Sequence, residues 1–156
     1  MNLFLRSSLP ANEAPKQKKY FTVYLPSSYN DEPICIALRN LKGYRFDVFT
    51  PYARESYRDG NVWVRPMQLR SMERSMRKSA GVITALDAET IGHAIGLDKP
   101  ILVLGDMWGK GMNERDREHV IEVGIPIVER VDRNLPARIA AWIREDITCK
   151  VSLGNN

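Results

Sequence analysis

Short β-branched and aromatic runs alternate with amphipathic helical stretches along most of this chain, and that alternation restricts its fold more than any other feature. Lys19–Pro26 (KYFTVYLP), Tyr44–Thr50, Asn61–Pro66, Gly81–Ala85, Pro100–Gly105 and the IPIVE run at 125–129 read as strands. Between them, apolar residues recur at helical spacing: Ile34, Leu38 and Leu41, then Leu69, Met72, Met76 and Ala80. Helix boundaries are also written in the sequence. Asn30 or Asp31 caps the first helix, Pro33 sits near its first turn and Gly43 stops it. Asp87 caps the third helix. The fourth runs from Asn113 to Gly124, and Asn134 caps the last, with Pro136 in its first turn. The order β-α-β-β-α-β-α-β-α-β-α predicts an α/β fold: a single Rossmann-like domain, with a mostly parallel sheet of about six strands and helices on both faces.

With 156 residues the chain is long enough for one domain with a substantial core. Residues 1–18 read as a polar N-terminal tail or linker, 19–147 as the domain and 148–156 as a C-terminal tail. The first residues lack the apolar core of a signal peptide. No run of 18 apolar residues occurs, so no membrane span is expected. Cys35 and Cys149 lie far apart without metal-ligand spacing and predict two free thiols. A cytoplasmic location follows as the expectation. The net charge of +4 is compatible with an anionic ligand without requiring one.

In sheets of this kind ligands bind beyond the carboxyl ends of the strands. The loops to watch are therefore 26–30, 66–68, 85–89 and 105–113. The turn Ala85-Leu86-Asp87 occupies the place where a phosphate meets a helix N-terminus in such folds. It lacks the glycine that lets a phosphate approach the backbone. Leu86 obstructs the approach, Asp87 can cap the helix itself, and Glu89 adds negative charge. His93 on the same helix is either a cleft-facing hydrogen-bonding group or a structural surface histidine. His119 lies in a charged helix with no nucleophile motif nearby. The segment Gly105–Asn113 (GDMWGKGMN) is the most site-like loop: Trp108 can stack on a base or sugar and Lys110 can pair with phosphate. Its alternative reading is a flexible connector. Arg70, Arg74, Arg77 and Lys78 make one helix face basic. Glu73 interrupts that face and no aromatic interleaves it, so the nucleic-acid signal is not strong. No zinc, Walker or nucleophile-elbow motif is present.

In order, "YFTVYLP", "DVF", "GNVWVRP", "SMRKSAGVI", Glu89-Thr90, "KPILVL", Asn113 and "VGIPIV" resemble the C-terminal, nucleotide-sugar-binding half of GT-B glycosyltransferases. The likeness is greatest to a bacterial branch related to the family 28 C-terminal domain. It covers roughly 19–143. The resemblance implies a UDP-sugar as donor substrate and no further cofactor or metal. The uridine would lie near Arg65 and Met67, and the diphosphate near Leu86, Asp87, Ala88, Glu89 and Thr90. The ribose would lie near His93, and the sugar near Asp106, Trp108 and Lys110. The acceptor half of such enzymes is missing from this sequence, which implies a separate acceptor-domain chain or a homo-oligomer as partner.

This sequence departs from the family pattern at the site. The glycine-rich turn is Ala85-Leu86-Asp87, the ribose-binding glutamate falls at His93, and the "EQ" pair is absent or displaced. A histidine can hydrogen-bond a hydroxyl but does not replace a bidentate carboxylate. Three readings stay open. The chain is one half of a split transferase; or a degenerate, non-catalytic domain that binds a nucleotide or a protein; or an enzyme similar to nucleoside 2-deoxyribosyltransferases. In the last case Glu89 approximates the catalytic acid, one position out of that family's register, and Asp87 a ribose contact.

Overall fold

Phe21 and Val23 on the first strand, Phe46 and Val48 on the second, and Ile83 and Ala85 on a third all turn to one buried core. Their strand neighbours Phe49, Val82 and Leu86 turn to another. This alternation follows from the period of two along a strand and makes a sheet with two covered faces. The computed structural model describes residues 19–26, 31–109 and 111–147. In chain order the elements are β1 (Tyr20–Tyr24), α1 (Asp31–Arg39), β2 (Arg45–Thr50), β3 (Tyr57–Asp59), β4 (Val62–Pro66) and α2 (Leu69–Lys78). Then follow β5 (Gly81–Leu86), α3 (Ala88–Gly96), β6 (Ile101–Trp108), α4 (Glu114–Glu122), β7 (Ile127–Val128) and α5 (Leu135–Trp142), which runs into a π-helical turn at Ile143–Ile147.

Among the described residues the seven strands form one sheet in the order β3-β4-β2-β1-β5-β6-β7. All neighbours are parallel except the β3–β4 hairpin. The six parallel strands have the doubly wound order of dinucleotide-binding folds. The chain builds outward from β1 in one direction through β2 and β4, and in the other through β5, β6 and β7. The switch point therefore lies between the carboxyl ends of β1 and β5, and α3 starts there. Helices α1 and α5 cover the first core, with Ile34, Leu38, Leu135 and Ile139 inward. Helices α2, α3 and α4 cover the second, through Met72, Met76, Ile91, Ala94 and Val120. The expected α/β architecture is the one observed. No helix among the described residues is long and apolar enough to cross a membrane.

The differences are local. The segment 51–60, read as a loop, contains β3, whose three residues are all exposed and carry no core signal. Strand β6 extends three residues beyond Gly105, because a register shift opposite Ala85 and Leu86 brings Trp108 into pairing with Leu86. Helix α1 ends at Arg39, before Leu41 and Gly43. Leu69, expected on the apolar stripe, is exposed, while Met72 and Met76 are buried. Asn134 occupies the cap position of α5 but its side chain makes no capping bond; its backbone N–H donates to Asp132 Oδ1 at 2.9 Å. The alternative cap of α1 at Asn30, the side chain of Asp31, and Cys149 fall outside the described residues.

Candidate functional site

The junction after β5 is built by hydrogen bonds that its own residues make. Asp87 is in an extended conformation, and its Oδ2 accepts from Thr90 N at 3.0 Å and from Thr90 Oγ1 at 2.6 Å. The expected self-cap is therefore formed, and it engages one of the donors a phosphate would use. The amides of Ala88 and Glu89 remain without partners inside the helix, as the first turn of any helix requires. A second closure comes from the segment after β6. Gly109 N donates to Leu86 O at 2.6 Å. A Cβ at Gly109 would lie 2.5 Å from Asp87 Oδ1 and 3.0 Å from Asp87 Cα. Glycine is required there because the loop rests directly on the capping aspartate. Leu86 itself is fully buried in the second core. The obstruction expected from its side chain comes instead from Asp87 and the Gly109 backbone.

Electrostatics add to the closure. Burial raises the Tyr24 phenol above its ordinary pKa, and the carboxylates of Asp87 and Glu89 raise it further. Tyr24 ends β1, pairs with Thr84 of β5 and so lies at the switch point. Asp87, Glu89 and a phenol that senses both charges therefore make the start of α3 an acidic junction. Glu89 and His93 are separated by one helical turn, so they share a face of α3, and both are exposed. His93 is close enough to Glu73 of α2 for its charge to contribute to lowering the Glu73 carboxyl, after the larger effects of the Arg77 hydrogen bond and charge.

The structure brings Asp87, Ala88, Glu89, Thr90 and Trp108 together at this junction. Trp108 is 40% exposed and stands in register with Leu86. Asp106 alternates with buried Met107 along β6, and its carboxylate accepts the Val131 N–H at 3.1 Å. That bond ties it to the segment before α5. Arg65 and Met67 lie apart, at the carboxyl end of β4, where Met67 N donates to Thr50 O at 3.0 Å. From β4 to β5 is three strand spacings, about 14 Å. An extended nucleoside diphosphate can span such a distance. Lys110 lies outside the described residues. No cluster of potential metal ligands occurs among the described residues.

Two features of the site are not legible residue by residue. Tyr24 looked like an ordinary strand aromatic, because only the strand order sets it beside α3. The second is a basic cluster around Trp63 on β4. Arg45, Arg58 and Arg65 set their guanidinium carbons 4.7, 5.0 and 5.7 Å from the Trp63 ring centre. Burial, followed by the Asp47 charge, raises the nearby Tyr20 phenol above its ordinary pKa against the opposing pull of Arg45. The arginines come from three strands spaced along the sequence, so no local motif announces them.

No family profile matches the sequence, and no curated protein matches it. Solved structures do resemble its fold. The glycotransferase of kitacinnamycin superposes with a TM-score of 0.61 at 14% identity, over 88% of this chain and 38% of its own. The glycosyltransferase SnogD from Streptomyces nogalater gives 0.55 at 14% identity, over 78% of this chain and 34% of its own. The apo form of the glycosyltransferase GlyE from Streptococcus pneumoniae TIGR4 gives 0.55 at 17% identity, over 94% and 38%. The chain thus spans little more than a third of these proteins' length. At such identities the likeness is one of fold.

Proposed function

We propose that this chain is the nucleotide-sugar-binding half of a GT-B type glycosyltransferase. The observation that carries the reading is the doubly wound strand order, with α3 starting at the switch point, in a domain whose fold resembles part of several glycosyltransferases. The ordered motifs from "YFTVYLP" to "VGIPIV" support the finer assignment to a family 28-like C-terminal half. In this reading Arg65 and Met67 flank the uridine, and the first-turn amides of Ala88 and Glu89 receive the diphosphate. His93 hydrogen-bonds the ribose, while Asp106, Trp108 and Lys110 border the sugar. The donor is a UDP-sugar.

The Asp87–Thr90 cap and the Gly109 contact favour one refinement: the donor site is weakened, so that the domain binds nucleotide sugar poorly or serves as a non-catalytic binding domain. A thermal-shift titration with UDP and UDP-sugars tests the reading, because a ligand that binds only the folded state raises its melting temperature. Stabilisation that saturates supports a donor site, weak affinity supports the refinement, and no shift at millimolar UDP rejects nucleotide-sugar binding. Release of free base from a deoxynucleoside, abolished by Glu89→Gln, would assign the chain to the deoxyribosyltransferase reading instead.

A further inference from the structure

The face of the sheet that receives α2 changes character beyond β1. Thr22, Asp47 and Trp63 are successive register partners across β1, β2 and β4, and Arg58 of β3 pairs with Trp63, so all four share that face. Over β1 the face is closed by α2, where Thr22 Oγ1 and Ser75 Oγ lie 2.7 Å apart. Farther out it carries charge in place of apolar side chains. A cavity of about 370 Å³ opens between this face and α2. Arg45 and Arg65 line it from the sheet, and Arg74, Lys78 and Ser71 from the helix. Its one carboxylate, Asp47, is only 5% exposed. Arg45 donates to Asp47 Oδ1 from two nitrogens at 3.2 Å, and Ser75 Oγ is 3.3 Å from Asp47 Oδ2. The protein therefore satisfies that anion internally.

The remaining cations have no such neutralisation. Arg74 and Lys78 are one turn apart on α2, a repulsive spacing, and neither forms an ion pair among the described residues. Arg65 shares the Trp63 ring with two other guanidinium groups. Like charges gathered on both walls of one cavity oppose folding unless an anion enters between them. Guanidinium groups match tetrahedral oxyanions through paired N–H donors, and a volume of this order suits a small ligand. The geometry points to a binding site for a compact oligophosphate, two or three adjacent phosphate groups clamped between Arg65 on the sheet and Arg74 and Lys78 on α2, while Arg45 stays paired with Asp47. The site lies across β1 from the α3 junction. It does not rest on the nucleotide-sugar reading, and Arg65 is the residue the two assignments share.

The test is calorimetric titration of the full chain with inorganic tripolyphosphate, and with sulfate as the simple-anion control, at low salt. Saturable tripolyphosphate binding is expected, tighter than sulfate by about tenfold or more because several charge-assisted hydrogen bonds form at once. The double variant Arg74→Gln/Lys78→Gln, both at exposed positions, should weaken it about tenfold and relieve the repulsion that the anion otherwise offsets. Arg115→Gln, at an exposed position of α4 outside both sites, should leave tripolyphosphate binding unchanged. Absence of binding, equal affinity for sulfate, or a double variant that binds like the wild type would overturn the assignment. So would tighter binding of single-stranded oligonucleotides with affinity rising with length, which would make the surface a nucleic-acid groove. Tripolyphosphate carries no base, and UDP binding that survives the double variant separates a failure here from a failure of the donor-site reading.

Discussion

At the residue scale, Asp87 caps α3, and under the proposed function it also stands where a ligand phosphate would bind, so the two jobs would pull against each other. Its capping role is local, written within the four residues from Asp87 to Thr90, and was legible in the sequence. Its contact with Gly109 was not, because 22 positions separate the two and only the extension of β6 brings them together. Gly109→Ala is expected to destabilise the fold by about 1–3 kcal/mol, the usual cost of forcing an extra methyl into a packed site. Part of that loss should vanish in an Asp87→Gly background, which removes the facing Cβ; urea unfolding of the four members of the cycle measures the coupling. Tyr24 supplies a second check. Its folded pKa is raised, first by burial and then by Asp87 and Glu89. The stability linked to it is therefore fully present below the ordinary tyrosine pKa of about 10 and is lost as pH rises through the higher folded value. Urea midpoints should fall in that alkaline window, and less steeply in Tyr24→Phe. In Asp87→Asn the tyrosinate absorbance of Tyr24 should appear at lower pH, though not at the unburied value, since burial is the larger cause.

At the scale of elements, segments with a core face were legible and those without one were not. Met72 and Met76 bury the stripe of α2 as their spacing requires, whereas Leu69, one turn earlier, is exposed. Strand β3 has three exposed residues and exists through its hairpin pairing with β4, which leaves no hydrophobic pattern to read. Gly105 looked like a strand terminator. It is instead the point where β6 passes β7 closely, since a Cβ there would lie 2.8 Å from Ile127 Cγ2. Helix α4 shows the opposite case. Asn113 Oδ1 accepts from Asp116 N at 3.1 Å, and Asp116 Oδ2 accepts from Asn113 N at 3.0 Å, a reciprocal cap visible in the sequence as Asn followed by an acid three residues on. Asn113→Ala should cost about 1 kcal/mol, read as a lower urea midpoint with an unchanged denaturant slope.

At the scale of the whole molecule, the alternation of strand and helix predicted the layered α/β architecture but not the order of the strands. Parallel neighbours such as β1 and β5 are far apart in sequence, and nothing local records their pairing. That order decides where function can sit: it sets Tyr24 beside α3 and gathers arginines from β2, β3 and β4 around Trp63. Under the proposed function, this scaffold holds a nucleotide-diphosphate position at α3 which its own Asp87 and Gly109 partly fill. Asp87→Ser keeps a side-chain cap on the helix while removing the carboxylate from the phosphate position. Calorimetry of UDP binding to the wild type and to Asp87→Ser tests the claim most directly. Tighter binding by the variant, by about tenfold as the loss of one close like charge warrants, is the predicted result. Equal or weaker binding by a folded Asp87→Ser protein would contradict it.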